Sequence, residues 1–137
     1  MSLGIPLNTD STLKGQTVFL AERCGELMHD NIITDRTILD VMAFTLNAKS
    51  IPYQDKEAFE TYASEFIREY DYIFYISPQG LEIEDNGVRE TDEHYRDLID
   101  FTITTLIKRH GHKAGTIEKI SGSTEERIQQ ILNVTKL

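Results

Sequence analysis

Residues 31–40 read NIITDRTILD. Ile32 and Ile33 make a short apolar run, Asp35 and Arg36 set an acid beside a base, and Leu39, Met42 and Phe44 follow on a segment that reads as helix. The pattern predicts a short strand over Ile32–Thr34 and a helix over Thr37–Asn47, with the charged pair between them. In open α/β sheets the ligand crevice lies outside the carboxyl ends of the strands. On this reading Asp35 and Arg36 stand at such an end, and the rest of the chain supports that point.

Upstream, residues 1–9 read as a loop broken by Pro6 and Asn8. A helix over Asp10–His29 follows, with Leu13, Leu20, Cys24 and Leu27 on one face and Phe19 beside them. Downstream, Pro52 breaks the chain. Gln54–Tyr70 then reads as an amphipathic helix with Phe59, Tyr62, Phe66, Ile67 and Tyr70 on its apolar face. Tyr72–Ile76 is apolar without alternation, as in a parallel strand buried on both faces. Ser77-Pro78-Gln79-Gly80 ends it, and an acidic, turn-rich segment runs over Leu81–Thr91. A helix over Asp92–His110 presents Tyr95, Ile99, Ile103 and Leu106. Lys108, Arg109 and His110 suit its negative end, and Gly111 suits a left-handed C′ position. Gly115–Ile120 reads as a last strand. Ser123-Thr-Glu-Glu126 is a capping box opening a final helix, with Ile128, Ile131 and Leu132 turned inward. Strands separated by helices imply parallel crossovers and a three-layer α/β sheet in a single domain, 1–137.

Composition narrows the function. The 137 residues are 39% apolar, enough for a folded core. With 23 acidic and 14 basic residues the formal charge is −9, which disfavours nonspecific nucleic-acid binding. A single cysteine, Cys24, excludes an internal disulfide and a Cys-rich metal site. No apolar run approaches the ~20 residues that span a bilayer, and the first residues lack a secretory pattern. The expectation is a soluble, cytoplasmic protein with no nucleic-acid or membrane partner.

Three constellations can carry chemistry. Asp35 can hold Mg²⁺-bound water or accept a proton from a hydroxyl, and Arg36 can grip phosphate oxygens with two bonds. The plainer alternative, a capping aspartate beside a surface arginine, comes first on spacing alone. Arg89 and Arg96 can stabilise charge on phosphates, or form surface ion pairs with Glu90, Asp92 or Asp100. Ser121-Gly122-Ser123 lets a ring or phosphate approach the backbone, as many strand-to-helix turns do. His110 and His112 suit helix-end and surface roles better than a metal site, and there is no Ser-His-Asp or HExxH pattern.

Taken together, several pieces resemble one family. They are the Asp-Arg-Thr after Ile32–Thr34, Asp85-Asn86-Gly87-Val88-Arg89 closing the acidic loop, Arg96, and Ser-Gly-Ser-x-x-Glu-Arg after the last strand. The chain is similar to AAA-type P-loop ATPase/kinase domains, in particular the nicotinamide riboside kinase and nucleotide kinase group. Gly4-Ile5-Pro6-Leu7-Asn8 looks like the segment after that group's first helix. The resemblance implies an ATP- and Mg²⁺-dependent phosphoryl transfer to a small acceptor. Asp35 would be the metal- or acceptor-binding acid, and Arg36 its phosphate-binding neighbour. Arg89 and Arg96 would be lid arginines, and Gly122 and Ser123 would form the turn near the adenine. Asn86 stands where the family more often has an aspartate. The chain also contains no GxxxxGK[ST], the loop that normally holds the β- and γ-phosphates. The resemblance therefore covers the C-terminal part of such a domain, with its first strand missing from the middle of the sheet. The expectations are an inactive chain on its own and a sheet gap filled by self-association, strand exchange or a partner. The alternative is a non-catalytic binding or assembly module on a remnant of the fold.

Overall fold

The computed structural model describes residues 4–77 and 93–137. Its helices are α1 (Leu13–Glu26), α2 (Ile38–Leu46), α3 (Tyr53–Ser64), α4 (Glu93–His110) and α5 (Thr124–Thr135), and its strands are β1 (Tyr72–Ile76) and β2 (Thr116–Ile120). Short 3₁₀ turns cover Asn8–Asp10, Glu65–Glu69 and Gly111–Lys113. The architecture is mixed α/β and mostly helical, with a small parallel sheet. β1 and β2 pair in register from Tyr72 opposite Thr116 to Ile76 opposite Ile120.

The core is built around α2. Ile38, Leu39, Val41, Met42, Ala43 and Thr45 are buried there, so the helix meets protein on nearly all sides. Leu20 from α1, Phe59 and Ala63 from α3, and Ile99 and Leu106 from α4 close around it with Ile73 of β1. Thr37 caps α2: its hydroxyl accepts the Leu39 N–H, and the Asp40 carboxylate accepts the Thr37 N–H at 2.8 Å. Gln16 of α1 reaches the same core and donates to Thr45 Oγ1 at 3.0 Å, so its buried amide is satisfied.

Several expectations require correction. Ile32–Thr34 is not a strand: it is irregular, and Ile33 is 99% exposed. Asp35 and Arg36 therefore lie in a loop ahead of α2 and not at a strand end. Among the described residues the sheet has two strands, not the three of a larger parallel layer. β1 is not buried on both faces, because Tyr72 and Ile76 are each 43% exposed while Ile73 is buried. The predicted helix over Gln54–Tyr70 is α3 followed by a tighter 3₁₀ segment, and Tyr62 on its expected core face is exposed. No residue of α5 is fully buried, and Ile128 and Leu132 face solvent. Gly111 opens a 3₁₀ turn without a left-handed φ. Among the described residues no helix is long and apolar enough to cross a membrane.

The strand Tyr72–Ile76 and the Ser123 cap stand as read. Ser123 Oγ accepts the Glu126 N–H and the Glu126 carboxylate accepts the Ser123 N–H, each at 3.1 Å. The Ser123 amide holds the Glu126 carboxyl below its usual range.

Candidate functional site

The direction of α4 defines the two ends of the sheet. It runs antiparallel to the strands: Gly111 lies against Ile117 near the start of β2, while Arg96, Asp97 and Asp100 lie around Tyr75, Ser77 and Lys119. Strand alternation puts Ile73, Tyr75, Ile117 and Lys119 on one face. That face looks toward α4, because the Tyr75 hydroxyl donates to the Asp100 carboxylate. Burial pushes the Asp100 carboxyl up, and the Lys119 ammonium opposes the shift.

Two cavities flank the carboxyl ends of the strands. One of about 620 Å³ is lined by Tyr75, Arg96, Asp100, Phe101 and Lys119, among others. Its cations are matched by Asp97 and Asp100. The other, of about 360 Å³, is lined by Ile76, Ser77, Lys119, Ile120, Ser121, Gly122 and Arg127. Both of its charged lining residues are basic. Gly122 turns the chain there with φ of 100°, and a Cβ would come within 3.1 Å of the Glu126 side chain. The positive φ is what calls for glycine there. Gln130 braces the turn by accepting the Ser121 N–H and donating to the Ser121 carbonyl. The Arg127 Nε donates to the Ser123 carbonyl at 3.4 Å and Nη2 to Thr124 Oγ1 at 3.1 Å, which holds the guanidinium beside the turn.

Of the sequence-derived candidates, Arg96, Gly122 and Ser123 are at or next to this end of the sheet. Asp35 and Arg36 are not. The Ile38 N–H at the start of α2 donates to the hydroxyl of Tyr70, two residues ahead of β1, at 3.1 Å. The far end of α2 faces the first half of α4, through Phe44 against Tyr95 and Asn47 on Thr102. The Asp35–Arg36 loop thus sits toward the amino end of the sheet, away from Arg96 and Gly122. Both side chains are exposed, the Asp35 carbonyl accepts from Arg23, and Arg36 holds a left-handed φ of 77°. Arg89 and Asn86 lie outside the described residues. Among the described residues no group of three His, Cys, Asp or Glu side chains is arranged to hold a metal ion. Burial pushes the Tyr70 phenol up to about 12, against the Ile38 N–H, which leaves it protonated and structural.

Sequence reasoning passed over Lys119, whose side chain enters both cavities. The only signal was its place one residue before the end of the strand. It also passed over a second ionic cluster, at the opposite end of α4. Arg109 Nη1 donates to both Glu60 oxygens at 2.8 and 2.6 Å, and His110 Nε2 lies 2.7 Å from Glu60 Oε2. Burial raises the Glu60 carboxyl, but hydrogen bonds from Arg109 and His110 outweigh it and hold the group below its usual range. A depressed folded-state pKa means stabilisation that is present above the ordinary glutamate range of about 4.3 and lost as pH falls through the lowered value. Glu60→Gln is therefore expected to lower the urea midpoint at pH 7, with the difference from the parent closing at strongly acid pH. A difference that persists undiminished there would contradict the assignment.

No family model matches the chain, and neither a curated protein nor a solved structure matches it.

Proposed function

We propose that this chain is the C-terminal portion of a P-loop kinase- or ATPase-like domain and that the carboxyl end of its sheet receives the phosphate-bearing nucleotide. One observation carries the reading: parallel β1 and β2, joined through α4, end beside the Gly122 turn with Lys119 and Arg127 lining a cavity there. Ligands of open α/β sheets bind outside the strand carboxyl ends, and guanidinium and ammonium groups suit phosphate oxygens. This local basic pair is compatible with an overall charge of −9.

ATP fits the charge of this donor set. Mg²⁺ accompanying the nucleotide would take most of its ligands from the phosphates and water, and no step is derived through it. Asp35 and Arg36 lie at the other end of the sheet, so the acceptor chemistry that the resemblance assigns to them is not joined to the nucleotide site in this chain. The proposal accordingly includes binding without appreciable phosphoryl transfer.

A calorimetric titration of Mg·ATP at low salt tests it. Binding in the ~1–100 μM range is expected, weakened roughly tenfold by Arg127→Ala, as for loss of one charged phosphate contact, and unchanged by Arg36→Ala. Absence of heat, or equal binding by the parent and Arg127→Ala, overturns it. The second reading, an assembly module, draws on a different observation, the exposure of Tyr72 and Ile76 on β1.

A further inference from the structure

The two cavities at the carboxyl ends of the strands adjoin, because Lys119 and Ser77 line both. They differ in charge. Among the described residues the smaller one is lined by two basic side chains, Lys119 and Arg127, and no acid. The larger one sets Arg96 and Lys119 against Asp97 and Asp100, so it offers little net attraction to an anion. Its walls suit a neutral, hydroxyl-bearing group instead. Asp97 is engaged by Arg96, 3.8 Å away. Asp100 is half-buried, and its Oδ1 accepts from the Tyr75 hydroxyl. A carboxylate has about four acceptor sites on its two oxygens, so Asp100 can take a further hydroxyl donor. Phe101 lines the same cavity and is 68% exposed, an aromatic face that a flat ring can cover.

Building on the nucleotide reading above, we propose that the larger cavity takes the nucleoside half of the ligand whose phosphates lie at the Gly122 turn, with Asp100 accepting a hydrogen bond from a ribose hydroxyl and Phe101 covering one face of the base. The ligand class narrows to ribonucleotides. Lys119 stands at the junction, so one molecule can hold its phosphates on Lys119 and Arg127 and extend past the lysine stem into the larger cavity. An ionised carboxylate suits ribose hydroxyls because both of its oxygens accept and neither donates. The Tyr75 hydroxyl holds that carboxylate from the strand side, and Tyr75 lies directly opposite Lys119 in the sheet. The sugar contact and the phosphate contact are thus placed by the same strand register. Stacking on an aromatic ring tolerates any base, so the sugar is expected to matter more than the base.

Calorimetric titration of the chain with Mg·ATP and with its 2′,3′-dideoxy analogue tests this. The two ligands carry the same charge, so the ratio of their affinities is blind to the general electrostatic effect of removing an acid. The parent is expected to prefer ATP about tenfold, as for a hydrogen bond to a charged group. Asp100→Ala is expected to bring that preference near unity. Asp100→Asn, which keeps an acceptor for Tyr75, is expected to reduce it less, and it keeps the test open should the alanine variant unfold. Arg127→Ala is expected to weaken both ligands alike and leave the preference intact. Phe101→Ala, a change at an exposed side chain, is expected to weaken both several-fold with an unchanged circular dichroism spectrum. Arg127-dependent binding of both ligands with equal affinity overturns the ribose assignment and leaves the nucleotide reading standing. A preference undiminished in both Asp100 variants overturns the role of Asp100, and parental binding by Phe101→Ala overturns the placing of the base. Absence of binding by either ligand overturns the nucleotide reading and the ribose assignment with it.

Discussion

Leu106→Ala is expected to lower unfolding free energy by about 2–5 kcal/mol, the range for emptying a fully enclosed leucine site. Leu106 has no exposed surface. It sits on α4 in the same cluster as Ile38, Met42 and Ile99, and there it ties the crossover helix to α2. The sheet joins that cluster through buried Ile73 of β1, with Ile117 of β2 and Ile103 and Ile107 of α4 packed against it. The loss is therefore expected to loosen the position of Arg96 and the Tyr75–Asp100 bond as well as to lower the urea midpoint. Chemical denaturation of the variant beside Phe101→Ala measures this. Phe101 is exposed on the same helix, and its removal is expected to cost well under about 1 kcal/mol. Equal losses from the two would contradict the described orientation of α4.

Gly115→Ala is expected to be nearly as costly, for a different reason. A methyl group at this position runs into the backbone carbonyl oxygen of Asp71. The Gly115 N–H donates to the Tyr70 carbonyl at 3.0 Å and the Thr116 N–H to Asp71 at 2.9 Å, so the strands start at a close backbone approach. The clash is with backbone and not with a flexible side chain, so the two strands themselves have to shift to relieve it. Overpacking of this kind costs about 1–3 kcal/mol. Amide exchange provides the readout, with faster exchange expected through Thr116–Ile120 and little change in α1. Wild-type protection of β2 in the variant would show that the two strands do not meet as described.

What was legible in the sequence was local. Tyr72–Ile76 is a run of β-formers bounded by Asp71 and Ser77-Pro78, and the structure starts and ends β1 at those residues. Ser123 and Glu126 satisfy each other's amides within one turn, so the box could be read without knowing the fold. Thr37 and Asp40 do the same with a shorter acid, a cap that the sequence reading passed over. The strand at Ile32–Thr34 was misread because a strand is a pairing and not a composition. Two isoleucines and a threonine have β-propensity, but among the described residues no strand lies beside them. That error carried Asp35 and Arg36 to the wrong end of the sheet. The exposed Ile128 and Leu132 show the same limit, since an amphipathic pattern states that a face can be buried without stating that anything covers it. Glu60 with Arg109 and His110 was illegible because the partners lie about 50 positions apart. Helix-dipole reasoning accounted for Arg109 and His110 without predicting a carboxylate between them.

On the proposed function, a phosphate-bearing nucleotide binds at the carboxyl ends of β1 and β2. Amide chemical-shift mapping with Mg·ATP on the isotope-labelled chain tests it most directly. The expected result is a saturable set of shifts confined to Ser77, Lys119–Ser123 and the first turns of α4 and α5, with the Asp35–Arg36 loop unmoved. Shifts centred on Asp35 and Arg36, or no shifts at millimolar nucleotide, would contradict it.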